Sequence, residues 1–348
     1  LDQAGATPLV LEPGVDTADL LDRLAGWRGD GPIAGVFWLP ALDADGDIAA
    51  YDLATWREAL RRRVKALHAT MRHLYDDSPF LVAATRLGGA HGYDDAGATN
   101  PLGGAVTGFA KSYAKERPDA IVKAVDLAAS RKTAAIADQL VEELLFDPGA
   151  VEIGRHGDRR VGVAFVERSF AARTDDGGSS DGMVLDGSSV LVVTGAAGSI
   201  VSAITADLAL ASGGTFHLLD LTPEPQRDDP DLVAFRSDRD ALKSSIADRM
   251  RAAGDKPTPV AIERELARFE RLDAALSAIE AIEAAGGTAH YHSVDLTDAD
   301  GVAAAMAAVR DTSGRIDVLL HAAGLEISRN LPDKEPREYD LVFDVKSD

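Results

Sequence analysis

The chain has no cysteine among its 348 residues. Disulfides, thiolate zinc sites and cysteine nucleophiles are therefore excluded together. Positive charge is scarce: 36 Lys and Arg face 57 Asp and Glu, for a formal net charge of -21. A nucleic-acid binder concentrates positive charge on one surface, so no nucleic acid is expected as a partner. No apolar run approaches the ~18 residues needed to span a bilayer, so no membrane segment is expected. No signal peptide is visible, because Leu1 opens directly into Asp2-Gln3-Ala4-Gly5. The first residue is not Met, which reads as a piece cut from a longer protein. The eight histidines show no metal-ligand spacing, so no metal is expected. These absences fit a cytoplasmic location.

What is present is enough for a sizeable core, since 46% of the residues are hydrophobic. The length suits about two domains at the usual ~150 residues each. The sharpest break in composition is Arg173-Thr174-Asp175-Asp176-Gly177-Gly178-Ser179-Ser180-Asp181-Gly182, which reads as a linker. The expected organisation is residues 1–172, a linker at 173–187 and a second domain at 188–348.

Both halves alternate strand-like and helix-like stretches. In the first, Ile33 to Leu39, Phe80 to Ala84 and Ile121 to Leu127 are short apolar runs that read as buried strands. Trp56 to Tyr75 carries Leu60, Val64, Leu67, Met71 and Leu74 on one helical stripe. Leu102 to Glu116 and Ala134 to Phe146 read as further helices, and 151–153 with 161–166 as a closing hairpin. In the second half the strands are Val190 to Val193, Thr215 to Leu219, Ala289 to Val294 and Ile316 to Leu320. A long crossover from Thr222 to about Pro257 precedes a helix with Ile262, Leu266, Phe269, Leu272, Leu276 and Ile279 on one face. Repeated βα units imply parallel sheets covered by helices. The expected fold is α/β, with two Rossmann-like doubly wound parallel-sheet units, the second incomplete at its C-terminus.

The chemistry concentrates at strand ends in the second half. Thr194-Gly195-Ala196-Ala197-Gly198-Ser199-Ile200 lies between a strand and a helix. Small residues there let backbone approach a pyrophosphate, and the helix start offers free N–H groups. The pattern is irregular: a G-x-x-G-x-x-G register puts Val201 at its third glycine, and a T-G-x-x-x-G-x register puts Ser199 at its second. Asp220 stands 25 positions after Gly195 and ends the next strand, where a carboxylate binds an adenosine ribose and repels a 2′-phosphate. Asp295 and Leu296 end the third strand, which borders the adenine in this architecture. Ala322, Ala323 and Gly324 end the fourth, where small side chains let a cofactor lie across the strand tip; His321 beside them is either packed or functional. Asp43-Ala44-Asp45-Gly46-Asp47 starts like a calcium loop but has Ala54 where a bidentate Glu is needed, so it reads as a surface turn. Gly88-Gly89-Ala90-His91-Gly92 reads as a plain loop.

Carbonyl reduction usually needs a tyrosine acid with Lys or Asn one helical turn away. The residues four positions after the six tyrosines are Thr55, Pro79, Gly97, Arg117, Asp295 and Phe343. None fits, so the catalytic tyrosine is expected to lie outside this chain.

These motifs resemble the ketoreductase region of type I polyketide synthases, in the short-chain dehydrogenase/reductase superfamily. Pro101-Leu102-Gly103-Gly104-Ala105, Gly108-Phe109-Ala110-Lys111, Glu116-Arg117-Pro118 and Val125-Asp126-Leu127 are similar to that family's structural, pseudo-Rossmann subdomain. The second half is similar to the start of its catalytic subdomain. The insertion including Lys256-Pro257-Thr258-Pro259, the stretch His321 to Ser328 and Phe343-Asp344-Val345-Lys346 look most like polyunsaturated fatty acid and enediyne synthases. The resemblance implies NADPH-dependent reduction of a β-ketoacyl thioester, carried on an acyl carrier protein, to the β-hydroxyacyl form. It implies further synthase domains in the same polypeptide. It puts the catalytic lysine on Lys346, and the serine, tyrosine and asparagine after Asp348. The family's 2′-phosphate arginine is replaced here by Leu221 after Asp220. NADP(H) is the first choice of cofactor, with Arg227 or Arg236 of the insertion as substitute cations, and NAD(H) is the alternative because of Asp220. The rival readings are an inactive reductase-like spacer and an extended short-chain dehydrogenase acting on sugar nucleotides.

Overall fold

A computed structural model describes residues 5–12, 14–130, 132–167 and 184–348. Most of the expected linker lies outside them. The chain forms two units. The first comprises Leu1–Phe170 with Ile327–Asp340 and Asp348, and the second Ala171–Glu326 with Leu341–Ser347. Among the described residues no helix is long and apolar enough to cross a membrane.

The first unit opens with α1 (Thr17–Arg28), which the sequence pattern did not single out. Asp16 caps it by accepting the Asp19 N–H at 2.9 Å, and Leu20 and Leu24 pack on Leu74. Strand β1 (Gly35–Trp38) leads to α2 (Leu53–Leu60), a π turn at Arg61–Lys65, and α3 (Ala66–His73). The expected stripe of Leu60, Val64, Leu67, Met71 and Leu74 is fully buried. Then come β2 (Phe80–Thr85), α4 (Gly103–Glu116), β3 (Val122–Leu127), α5 (Thr133–Phe146), β4 (Glu152–His156) and β5 (Arg159–Gly162). The closing strands form earlier than 161–166 because Gly157, at φ 59°, makes the turn. The strands run in sequential order β1-β2-β3-β4-β5, parallel except for β5. Helix α5 packs Ile136 and Leu140 on Val82, Ala84, Val125 and Leu127, while α4 begins against Thr85 on the opposite face.

Asp45 corrects the reading of Asp43–Asp47 as a surface turn. It is 3% exposed, pairs with Arg63 at 2.8 Å, and accepts the Leu102 N–H at 3.0 Å. Its own N–H donates to Asn100 Oδ1 at 2.9 Å. This buried ion pair, with its one backbone N–H bond, ties the loop to the π turn and to the start of α4. The segment 327–340 also packs here. Leu331 N–H donates to Glu116 at 2.7 Å, and the Tyr339 ring stacks on buried His68 at 3.9 Å.

The second unit contains β6 (Val190–Thr194), α6 (Ser199–Ser212), β7 (Thr215–Asp220), α7 (Pro230–Ser237), α8 (Arg239–Ala252), α9 (Pro259–Ala284), β8 (Thr288–Ser293), α10 (Ala299–Ser313) and β9 (Val318–His321). Helix α11 (Pro336–Ser347) closes the chain. All four strands are parallel, in the order β8-β7-β6-β9. The order therefore reverses once, between β6 and β9.

The long crossover resolves into helices with a core of their own: Leu232, Leu242, Ile246, Leu266, Phe269, Leu272 and Leu276. Helix α9, 26 residues long, serves two cores. Its first half builds that cluster. Its second half puts Ala278 and Ile282 with α6 on Phe216 and Leu218 of the sheet. The insertion thus extends an ordinary crossover helix and leaves the sheet regular.

On the other face His217 is fully buried. Its Nδ1 lies 3.1 Å from His292 Nε2, and its Nε2 2.8 Å from Ser313 Oγ. His290 stacks on it at 4.8 Å. Burial, reinforced by the two neighbouring imidazoles, pushes His217 down to about 4. Burial likewise pushes His68 down to about 4. A histidine depressed on folding contributes stability that is complete above its unfolded value of about 6.5 and lost as pH falls towards 4. Each group then costs up to about 1.4 kcal/mol per pH unit across that window. The urea midpoint is expected to fall steadily between pH 6.5 and 4.5, and less steeply in His217→Gln. Equal slopes in the two proteins would refute this assignment.

Candidate dinucleotide site

Strand β6 is buried along its whole length, and its last residue begins the turn. Gly195 takes φ +72°, a conformation that disfavours any side chain. A Cβ there would lie 2.8 Å from Ala323 Cα and 3.0 Å from the Ala322 carbonyl. Gly195 is thus required by the approach of the β9 tip as well as by its own backbone. Its N–H donates to the Leu219 carbonyl at 2.8 Å, and Gly198 N–H closes the turn on the Gly195 carbonyl at 3.0 Å.

Helix α6 starts at Ser199 with Gly198 as its cap, and no side chain caps it. The N–H groups of its first turn, at Ser199, Ile200 and Val201, have no intrahelical acceptor by geometry. Ser199 is exposed and Ile200 is 75% exposed, so this helix start faces outward. A free helix N-terminus of this kind suits a pyrophosphate. Val201, at the third glycine of one register, instead packs into the core with Val193 and Ala209.

Thr194 is the hinge pin between β6 and β9. Its hydroxyl accepts the N–H groups of Ala322 and Ala323, each at 3.2 Å, and lies 2.9 Å from His321 Nδ1. Ala322 and Ala323 are thereby held against the glycine turn. A Cβ at Gly324 would sit 3.0 Å from Lys346 Cε and 3.8 Å from its Nζ. The bare glycine therefore gives Lys346 its place beside the β9 tip.

Asp220 ends β7. Its Oδ2 accepts the Ala197 N–H at 2.9 Å and its Oδ1 the Thr222 N–H at 2.8 Å. These bonds fix the carboxylate on the glycine turn. Leu221 is 71% exposed and brings no cation. The two arginines expected as substitute cations both have acidic partners in the insertion. Arg227 pairs with Glu283 at 2.6 Å, and Arg236 pairs with Glu280 at 3.1 Å and with Asp273. Asp295 accepts from the Thr297 N–H at 2.9 Å and hydroxyl at 2.7 Å, and these bonds hold its carboxyl below the usual carboxylate range. It forms the turn that leads into α10, with Leu296 half-buried on the α10 core. Among the described residues no group of three or more acidic or imidazole side chains could hold a metal ion.

The first unit has a counterpart that the sequence left as a plain loop. After β2, the N–H groups of Leu87, Gly89 and His91 all donate to Asp126 near the end of β3, at 2.5, 2.6 and 2.8 Å. Thr85 hydroxyl donates to the same carboxylate at 2.9 Å, and Asp126 is completely buried. A glycine-rich nest that would suit an anion is filled by the chain's own carboxylate. The signal was available as Gly88-Gly89 after one strand and an Asp near the end of the next, but it has meaning only once the strands are paired.

Comparisons with known proteins bear on the fold and on the C-terminal part of the chain. The family model described as short chain dehydrogenase matches residues 246–347, from the middle of α8 through Ser347. A polyunsaturated fatty acid synthase of Thraustochytrium sp. (strain ATCC 26185 / S-3) is 29% identical over 284 residues, covering 77% of this chain and 10% of that protein. Polyketide synthase GfsA of Streptomyces halstedii is 25% identical over 348 residues, covering 99% of this chain and 4% of that protein. The chain thus spans a small fraction of the relatives it matches. Among solved structures, one titled as A-type ketoreductases from a modular polyketide synthase matches with a TM-score of 0.60 at 20% identity, over 99% of this chain and 62% of that one. That likeness shows a shared fold.

Gly195→Ala is expected to destabilise the chain by about 3 kcal/mol, combining left-handed strain with an overpacked contact. Gly104→Ala, in α4 with nothing within 4 Å of the added carbon, is the control and is expected to be neutral or slightly stabilising. Urea denaturation of both variants checks this; equal stabilities would contradict the close packing of the turn.

Proposed function

We infer that this chain belongs to the ketoreductase region of a type I polyketide or polyunsaturated fatty acid synthase, in the short-chain dehydrogenase superfamily, and holds the nicotinamide cofactor for reduction of a β-ketoacyl thioester. The observation that carries the reading is the open glycine turn at the reversal of strand order. Ligands of open α/β sheets bind outside the carboxyl ends of strands at such a reversal. Among its described residues the first unit has neither the reversal nor an open turn.

In this reading Thr194, Gly195, Ala197, Gly198, Ser199 and Ile200 cradle the pyrophosphate. Asp220 holds the adenosine ribose, Leu221, Asp295 and Leu296 border the adenine, and Ala322, Ala323 and Gly324 let the cofactor cross the β9 tip. When bound, the reduced dinucleotide supplies a hydride to the carbonyl carbon. Lys346 would position a tyrosine acid and favour its ionised form through charge. That acid is not one of the chain's own tyrosines. Tyr291, which alone belongs to the second unit, donates to the Thr222 carbonyl at 2.9 Å, and burial pushes its hydroxyl up. The substrate partner is an acyl carrier protein, and further synthase domains share the polypeptide.

Asp220 and the commitment of Arg227 and Arg236 favour NADH over NADPH, although the family resemblance implies NADPH. A fixed carboxylate repels a 2′-phosphate, and both arginines of the insertion already sit beside acidic partners. Fluorescence titration is expected to give micromolar binding of NADH and about tenfold weaker binding of NADPH. Asp220→Asn keeps an acceptor for the Ala197 N–H and removes the charge, so the ratio is expected to approach one. Failure to bind either cofactor would leave the inactive-spacer reading; a preference for NADPH would overturn the role given to Asp220.

A further inference from the structure

His321 ends β9 directly opposite Thr194, at the reversal of strand order. It is exposed, and among the described residues only its Nδ1 is engaged. The hydroxyl of Thr194 has one proton and two lone pairs. Both lone pairs are taken, by the N–H groups of Ala322 and Ala323 at 3.2 Å each. The proton must therefore go to His321 Nδ1, 2.9 Å away. A neutral imidazole that accepts at Nδ1 carries its proton on Nε2. The tautomer follows from counting donors and acceptors.

The count leaves one N–H without a partner among the described residues, fixed in direction and located beside the glycine turn. Ring rotation is opposed by the bond to Thr194, and exchange of tautomers is opposed by the two backbone donors behind it. We propose that His321 is a preset hydrogen-bond donor of the crevice, whose Nε2–H meets an acceptor oxygen of the bound dinucleotide. Thr194 acts through it as a positioning residue. The same hydroxyl thus aligns the β9 tip and orients the ring. This assignment rests on the dinucleotide reading of the site and adds to it a side-chain donor from the tip of β9.

Two measurements on the whole chain test it. With nitrogen-15-labelled histidine at pH 8, the long-range imidazole spectrum of His321 is expected to show a bare Nδ1 and a protonated Nε2. Saturating NADH is expected to shift the Nε2–H resonance. A protonated Nδ1, or no shift on saturation, would overturn the proposal. In the second measurement, His321→Phe is expected to weaken NADH binding roughly tenfold, as loss of one hydrogen bond to an anionic or polar oxygen requires, and to lower the melting temperature slightly because the buried Thr194 hydroxyl loses its acceptor. His321→Gln, which can accept from Thr194 and still donate, is expected to stay within about threefold of the unaltered chain. Equal binding by the unaltered chain and His321→Phe would overturn the His321 assignment alone. An unaltered chain that binds neither dinucleotide would overturn the cofactor reading and this assignment with it.

Discussion

The structure depends on a carboxylate at or near the end of one strand gripping the backbone of the glycine loop that follows its neighbour. It occurs twice. In the second unit Asp220 takes a single loop N–H, that of Ala197, and leaves the start of α6 open. In the first unit Asp126 takes three loop N–H groups and a hydroxyl, and is completely buried. A buried carboxylate is tolerable only when its lone pairs are used in this way. The same device is therefore a brace for a cradle in one unit and a plug in the other. Strand order agrees with this division. Among the described strands only the β6–β9 junction reverses the sequential strand order, the place where open α/β sheets bind their ligands.

The insertion between β7 and β8 leaves this arrangement intact because α9 carries it at a distance. The half of α9 that touches the sheet keeps Ala278 and Ile282 in the usual crossover position, and the other half closes a separate apolar cluster. Its surface arginines are laced to acidic partners: Arg239 to Glu270, Arg249 to Asp231, and Arg227 and Arg236 as described above. Each exposed pair is worth little alone. They place the positive charge of the insertion beside its own acidic residues, while Asp220 stands on the glycine turn with Leu221 next to it.

Much of the fold was legible in the sequence, for local reasons. The buried strands showed as short apolar runs, and the stripe from Leu60 to Leu74 showed at helical spacing. The turn from Thr194 to Ile200 and Asp220 were readable because they depend on residues near in sequence. What escaped was either faint or non-local. Helix α1 had its cap at Asp16 and two core residues four apart, too few to stand out in an acidic stretch. Helices α7 and α8 bury so few side chains that their periodicity was lost in charge. Asp45 looked like a surface residue because its partners, Arg63, Asn100 and Leu102, lie far along the chain. Asp126 lies in a strand as expected, but its grip on the loop at 87–91 escaped for the same reason. The orientation of His321 depended on a hydroxyl more than a hundred residues away, so composition offered no hint of it.

The central claim is that one unit holds an open dinucleotide cradle and the other the same cradle closed from within. Amide hydrogen exchange of the whole chain, with and without saturating NADH, tests it most directly. Protection on binding is expected at 195–201 and 322–324, and none at 87–92. Protection at 87–92, or an unchanged pattern throughout the second unit while NADH is bound, would contradict the account.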